Sequence, residues 1–171
     1  LSKQVKEQQQ QLLHKSDELR KERDFSAGLL ETAQTIILLM NRDGTVEYIN
    51  PYMEKLSGFT LQEVKGKDWF DTFLPPADHS KIREVFSRAI DDVQTRGNIN
   101  PIIAKDGHEI LIEWYDKSHR NEHGEVTGLL SIGYDVTERK RAEAELIKTK
   151  ERFRQVVEQA SDGIFIADIH G

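Results

Sequence analysis

The stretch LLSIGYDVTERKRAEAEL, Leu129–Leu146, changes character halfway. Its first half is apolar and reads as a strand. From Thr137 onward it is rich in Glu, Arg, Lys and Ala, which are good helix formers. Neither Gly nor Pro separates the halves. Asp135 stands where a helix N-cap belongs, and Glu138, three residues on, completes a capping-box pattern. A strand capped directly into a helix needs no loop. A shift in the sheet would reach the helix, whereas a flexible linker would lose it. Asp135 and Thr137 are therefore the expected signal-relay residues.

Downstream, TERKRAEAELIKTKERFRQVVEQA continues without Gly or Pro. Leu146, Phe153 and Ala160 recur at a spacing of seven, with Lys150 and Val157 on the companion seam. This predicts a linker helix over 137–160, with coiled-coil character. The chain then nearly repeats itself: Glu31–Gly44 aligns with Glu158–Gly171 at an offset of 127. Residues 161–171 read as the truncated start of a second copy of the domain, with GIFIA as its first strand.

Upstream, EVTGLLSIGYDV is the last of three long strands, after GNINPIIA and HEILIEWYDKSH. Lys105-Asp106-Gly107 and Asn121-Glu122-His123-Gly124 are the tight turns between them. TIILLMN and TVEYIN form an earlier hairpin across Arg42-Asp43-Gly44. Between the two strand groups lie short helices in PYMEKLSG, LQEVKG and DWFDTF. A longer amphipathic helix follows, HSKIREVFSRAIDDV, with Ile82, Val85, Phe86, Ala89 and Ile90 on one face. FSAGLLETA, before the hairpin, reads as a short helix. Two strands, a helical block and three antiparallel strands make an α+β core over residues 25–136, with helices on one sheet face. Such a layer normally carries an apolar cavity.

Residues 1–24 form the other flank. They lack Gly and Pro, and Val5, Leu12 and Leu19 recur every seven residues. The companion seam, Leu1, Gln8, Lys15 and Glu22, is mostly polar. A coiled-coil-like helix with one apolar seam is expected, and with it a parallel homodimer through the N-terminal and C-terminal helices.

Composition sets outer bounds. The net charge of −6 gives no basic field for nucleic acid. With no cysteines there are no disulfides, thiolate metal sites or thiol nucleophiles. No apolar run reaches the roughly 18 residues of a membrane span, and no signal peptide is visible, so a cytoplasmic location is expected. Leu1 is not a natural start, which suggests a piece of a longer protein.

The residues that carry a family likeness are NRDGTVEYIN, PYMEKLSGFTLQEVKGK, NPIIAKDG and the ending YDVTERK, in that order. The chain resembles a PAS sensor domain with its C-terminal PAC-type extension and signalling helix, over about Phe25–Arg141. Asp135-Val136-Thr137 matches the family's Asp-(Ile/Val)-Thr junction. The resemblance implies a five-stranded antiparallel sheet of order 2-1-5-4-3. It also implies an input module of a bacterial histidine kinase or cyclic-di-GMP enzyme, with the effector domain elsewhere on the chain.

The same resemblance disfavours haem and flavin. Trp69 stands where photoactive flavin domains carry a Cys, and Ile82 occupies the slot of the proximal His of haem sensors. His79 lies near that slot but at a helix start, where a solvated His is expected. The redox flavin branch has a Pro-Trp where this chain has Thr95-Arg96-Gly97-Asn98. None of the six histidines forms a helical ligand pair. His119 and His123 flank a hairpin turn, and no metal site is expected.

Strand alternation puts Ile110, Ile112 and Trp114 on one face. On the family pattern this is the cavity wall, joined by Asn98, Asn100 and Ile102, and by Ser131 and Gly133. Trp69, Phe70, Ile82 and Phe86 complete the candidate ligand-binding set. The alternative is that the aromatic side chains simply fill the space and the domain is a ligand-free dimerisation or spacer module. Asp17-Glu18-Leu19-Arg20 is similar to a kinase phosphoacceptor box, but Asp17 replaces the His and His14 is out of register. There is no nucleotide-binding glycine box and no nucleophile–base pair, so no catalysis is expected of these residues.

Overall fold

The computed structural model describes residues 2–91 and 95–168, the last eight as helical backbone only. They fall into two units, one ending at Tyr134 and one starting at Asp135.

The first unit opens with α1, Lys3–Thr32. The boundary expected at Phe25 does not exist: the N-terminal helix and FSAGLLETA are one element. Gly28 is the only residue there that weakens a helix, and Thr32 donates its hydroxyl to the Gly28 carbonyl at 2.8 Å, keeping the turn closed. No residue of α1 is buried.

The sheet follows the expected order, β2-β1-β5-β4-β3. β1 is Thr35–Asn41, β2 Val46–Ile49, β3 Thr95–Ile103, β4 Glu109–Arg120 and β5 Val126–Asp135. β1 pairs antiparallel with β2 on one side and β5 on the other. On β3 a bulge falls between Arg96 and Asn98, where Gly97 takes a φ of 68°. The bulge resets the register, so that Asn98 faces Trp114 and Asn100 faces Ile112.

The helical block holds α2 (Pro51–Ser57), α3 (Leu61–Val64), α4 (Trp69–Phe73), a 3-10 turn at Pro76–Asp78 and α5 (His79–Ile90). The caps are side-chain chemistry legible in the sequence. Asn50 caps α2 through Met53 N–H, and also accepts from Ile37 N–H and donates to the Thr35 carbonyl. One buried amide thus ties α2 to β1. Thr60 and Glu63 form a capping box on α3. Asp68 caps α4.

Ile36, Leu38 and Met40 of β1 meet Ile102, Ile110, Ile112, Trp114 and Leu129 of the other strands. The helices close over them with Met53, Val64, Trp69, Phe70, Phe73, Ala89 and Ile90. Gly44 turns with φ 86°, and a Cβ there would lie 2.8 Å from Phe70. The β1–β2 turn therefore packs flush on α4.

The second unit is α6, Thr137–Asp168. It runs on through GIFIA, the stretch expected as a strand. A lone strand would leave its backbone groups without an edge to pair with, whereas a helix satisfies them within itself. The rest of the expected second copy, residues 169–171, lies outside the described residues. No helix among the described residues is long and apolar enough to cross a membrane.

Candidate functional site

Between the sheet and α4–α5 lies a small cavity. Eight of the expected residues line it: Trp69, Phe70, Ile82, Phe86, Asn98, Asn100, Trp114 and Ser131. Leu38, Met40, Val85, Leu129 and Asp116 complete the wall. The space open to the centres of water-sized spheres is about 40 Å³. That is room for several waters or a small ligand.

Three expected residues stand elsewhere. Ile102 and Ile112 are both fully buried in the core and are absent from the cavity wall. Gly133 is screened by its neighbours: a Cβ there would sit 2.8 Å from both Ile112 Cγ2 and Trp114 Cζ3. Its role is to let Trp114 and Ile112 lie flat on the β5 backbone.

Asp116 is the residue that the sequence reading missed. The alternation of Ile110, Ile112 and Trp114 continues to it, so the signal was present. Ser131 donates its hydroxyl to Asp116 Oδ1 at 2.6 Å, and Thr95 donates to Oδ2 at 2.8 Å. Both donors are buried. Burial pushes the Asp116 carboxyl above its ordinary pKa, and the two hydroxyl bonds pull the other way without cancelling it.

The opposite wall is aromatic. Trp69 and Trp114 meet edge to face at 5.6 Å, as do Phe70 and Phe86. Phe70 is held from outside by Arg83, whose guanidinium lies 4.1 Å from the ring centroid. Arg83 reaches both oxygens of Asp68, at 3.1 and 3.0 Å, and so links α5 to the α4 cap. His79 is half-buried rather than solvated. Its Nε2 lies 3.1 Å from the Leu74 carbonyl and its Nδ1 3.5 Å from Asp71. Asn100 donates to the Pro101 carbonyl at 3.3 Å. No cluster of three or more potential metal ligands occurs among the described residues.

At the end of β5, Asp135 accepts from Thr137 N–H at 2.9 Å. The first intrahelical bond runs from Lys140 N–H to the Val136 carbonyl. Val136 is therefore the cap position, and Asp135 acts one residue earlier than expected. The helix starts at Thr137 as expected, and only the cap lies one residue later than the sequence suggested. Glu138, expected to reach back, pairs with Arg141 at 3.0 Å.

A five-stranded antiparallel sheet with a small cavity under its helices is the architecture of a sensor module. The family model for the PAS fold matches residues 30–141, more than half of the chain, and the chain belongs to that family. It is similar to sporulation kinase C of Bacillus subtilis, 27% identical over 136 residues, which cover 78% of this chain and 31% of the kinase. It is also similar to the signal transduction histidine-protein kinase AtoS of Escherichia coli, 26% identical over 153 residues, or 88% of this chain and 23% of AtoS. The chain thus spans less than a third of either relative. Among solved structures, the PAS domain of a protein from Colwellia psychrerythraea superposes with a TM-score of 0.60 at 21% identity, covering 70% of this chain and 98% of that one.

Proposed function

We propose that this domain is the sensory input module of a bacterial signal-transduction protein, a histidine kinase or a cyclic-di-GMP enzyme. It senses a small molecule or state in the cavity and relays it through α6 to an effector outside residues 1–171. The observation that carries this reading is the cavity itself. Asn98, Asn100, Asp116 and Ser131 put polar groups on a wall otherwise apolar and aromatic, which is the make-up of a ligand site rather than of a packed core. Its similarity to two histidine kinases supports the choice of output.

The module carries neither haem nor flavin on this reading. Ile82 and Trp69 offer no ligating or thiol atom for either group. A visible absorption spectrum of freshly purified protein is expected to be featureless, and a haem or flavin band would refute this part.

Native mass spectrometry of the purified chain tests the main reading. Retained mass from a small ligand, exchangeable with added metabolites, is the expected result. A chain that never retains mass under any condition would favour the second reading, a ligand-free dimerisation or spacer module. That reading draws support from apolar side chains left in water along both long helices: Leu12 is 68% exposed and Phe153 71%. Such a seam suits a parallel homodimer through α1 and α6 in either case.

A further inference from the structure

We propose that the cavity is selective for a small organic cation, a primary ammonium, held by the Asp116 carboxylate against the Trp69 and Trp114 faces. The inference rests on the sensory reading and names the ligand chemistry for the same site.

The charge pattern points to a cation. Asp116 is the one ionisable side chain among the described residues of the wall. Its partners, Ser131 and Thr95, are neutral hydroxyls. They satisfy hydrogen-bonding geometry but bring no compensating charge, and a carboxylate in such a setting gains most from a cation. Arg83 of α5 is committed elsewhere: it lies against the outside of Phe70 and pairs with Asp68.

The wall agrees. Indole faces attract cations through the ring quadrupole, and Trp is the strongest such surface. Trp69 and Trp114 sit at right angles, so a ligand in the corner between them touches two rings at once. An anion would meet Asp116 as a like charge, and a neutral donor would gain a hydrogen bond but no charge pairing. The size follows from the space, about 40 Å³ for water-sized spheres. That admits ethylammonium.

The experiment follows the indole N–H signals of Trp69 and Trp114 by NMR in the full chain. It titrates ethylammonium chloride, its neutral counterpart ethanol, and acetate. Saturable shifts with ethylammonium are expected, with ethanol binding about tenfold more weakly or less and acetate not at all. Asp116→Asn keeps the side-chain shape and should weaken ethylammonium by about tenfold or more while changing ethanol far less. The melting temperature of Asp116→Asn, expected at or above that of wild type at neutral pH, shows that the variant is folded. Ethanol binding as well as ethylammonium, or ethylammonium binding equally to Asp116→Asn, would overturn the cation assignment while leaving a small-ligand sensor standing. No saturable shift with any probe would also overturn it, and the native mass measurement then decides separately whether the sensory reading fails too.

Discussion

Ser131 on β5 donates its hydroxyl to Asp116 on β4 across 2.6 Å, and this bond anchors the one carboxylate that faces the cavity among the described residues. A charge here is tolerated rather than stabilised. The two hydroxyl donors offset part of the desolvation, and the rest shows as a raised pKa.

The first prediction follows from that sign. A carboxyl whose folded pKa is raised holds its proton more tightly in the folded state than in the unfolded one. Stability is then highest below the unfolded value of about 3.9. It falls as pH rises from there through the raised folded pKa and levels off above it. Asn cannot titrate, and the Ser131 and Thr95 hydroxyls can turn to accept from its amide. Asp116→Asn should therefore melt higher than wild type at neutral pH and converge with it in acid. Parallel pH profiles of melting temperature for the two proteins would contradict this.

The second concerns Glu63, whose carboxyl is lowered to about 2, first by its hydrogen bond from Lys105 and then by Thr60 N–H. A lowered folded pKa contributes stability that is present above the ordinary value of 4.5 and is lost as pH falls towards 2. Lys105 sits in the β3–β4 turn, so the pair fastens that turn to the α3 capping box. In Lys105→Ala the Glu63 carboxyl should titrate markedly closer to the ordinary value. NMR titration of its side-chain carbon measures this directly. An unchanged value would assign the whole shift to the capping box.

The third is steric. Gly133→Ala places a methyl 2.8 Å from Trp114 and Ile112, both buried and fixed by the sheet. Overpacking of this kind costs about 1–3 kcal/mol. Urea unfolding should show a lower midpoint with an unchanged slope, and Trp114 should shift in fluorescence. A neutral result would mean the strand relaxes locally.

These residues also show what a single sequence could and could not reveal. Hairpins and the helical block were readable because alternation, turn chemistry and caps agree along the chain, whereas the sheet order came from the family resemblance. The Asp116 position was readable too, since it continues the Trp114 face, but a carboxylate on an apolar stripe invites the reader to stop one residue early. Ile102 and Ile112 were assigned to the correct face, yet alternation gives a side and not a depth, and both lie in the core beyond the cavity wall. The helix break near Phe25 failed for another reason. A change of composition marks where apolar contacts begin, whereas a helix ends only where its hydrogen bonds do.

The fourth prediction addresses association. Val5, Leu12 and Leu19 are all exposed along α1. If they form the homodimer seam, removing residues 1–24 should shift sedimentation towards the monomer. A dimer of unchanged strength after the deletion would place the interface on another surface.

The fifth tests the junction. Asp135 accepts from Thr137 N–H, which frees no other donor and fixes the first turn of α6 from outside the helix. One such bond to an exposed carboxylate contributes about 1 kcal/mol, a small part of a typical domain stability of about 5–15 kcal/mol. Asp135→Ala should therefore lower the melting temperature only slightly. If α6 relays the state of the cavity, the same change should damp the response of the effector far more than it damps folding, because a frayed first turn dissipates a displacement before it travels along the helix. Replacing Asp135 with Asn, which keeps the acceptor oxygen and removes the charge, should restore most of the response. The comparison belongs in the whole protein, with effector output and melting temperature measured on the same three variants. A large loss of stability with an intact response would make Asp135 a structural fastening, and the relay would then have to start elsewhere on β5.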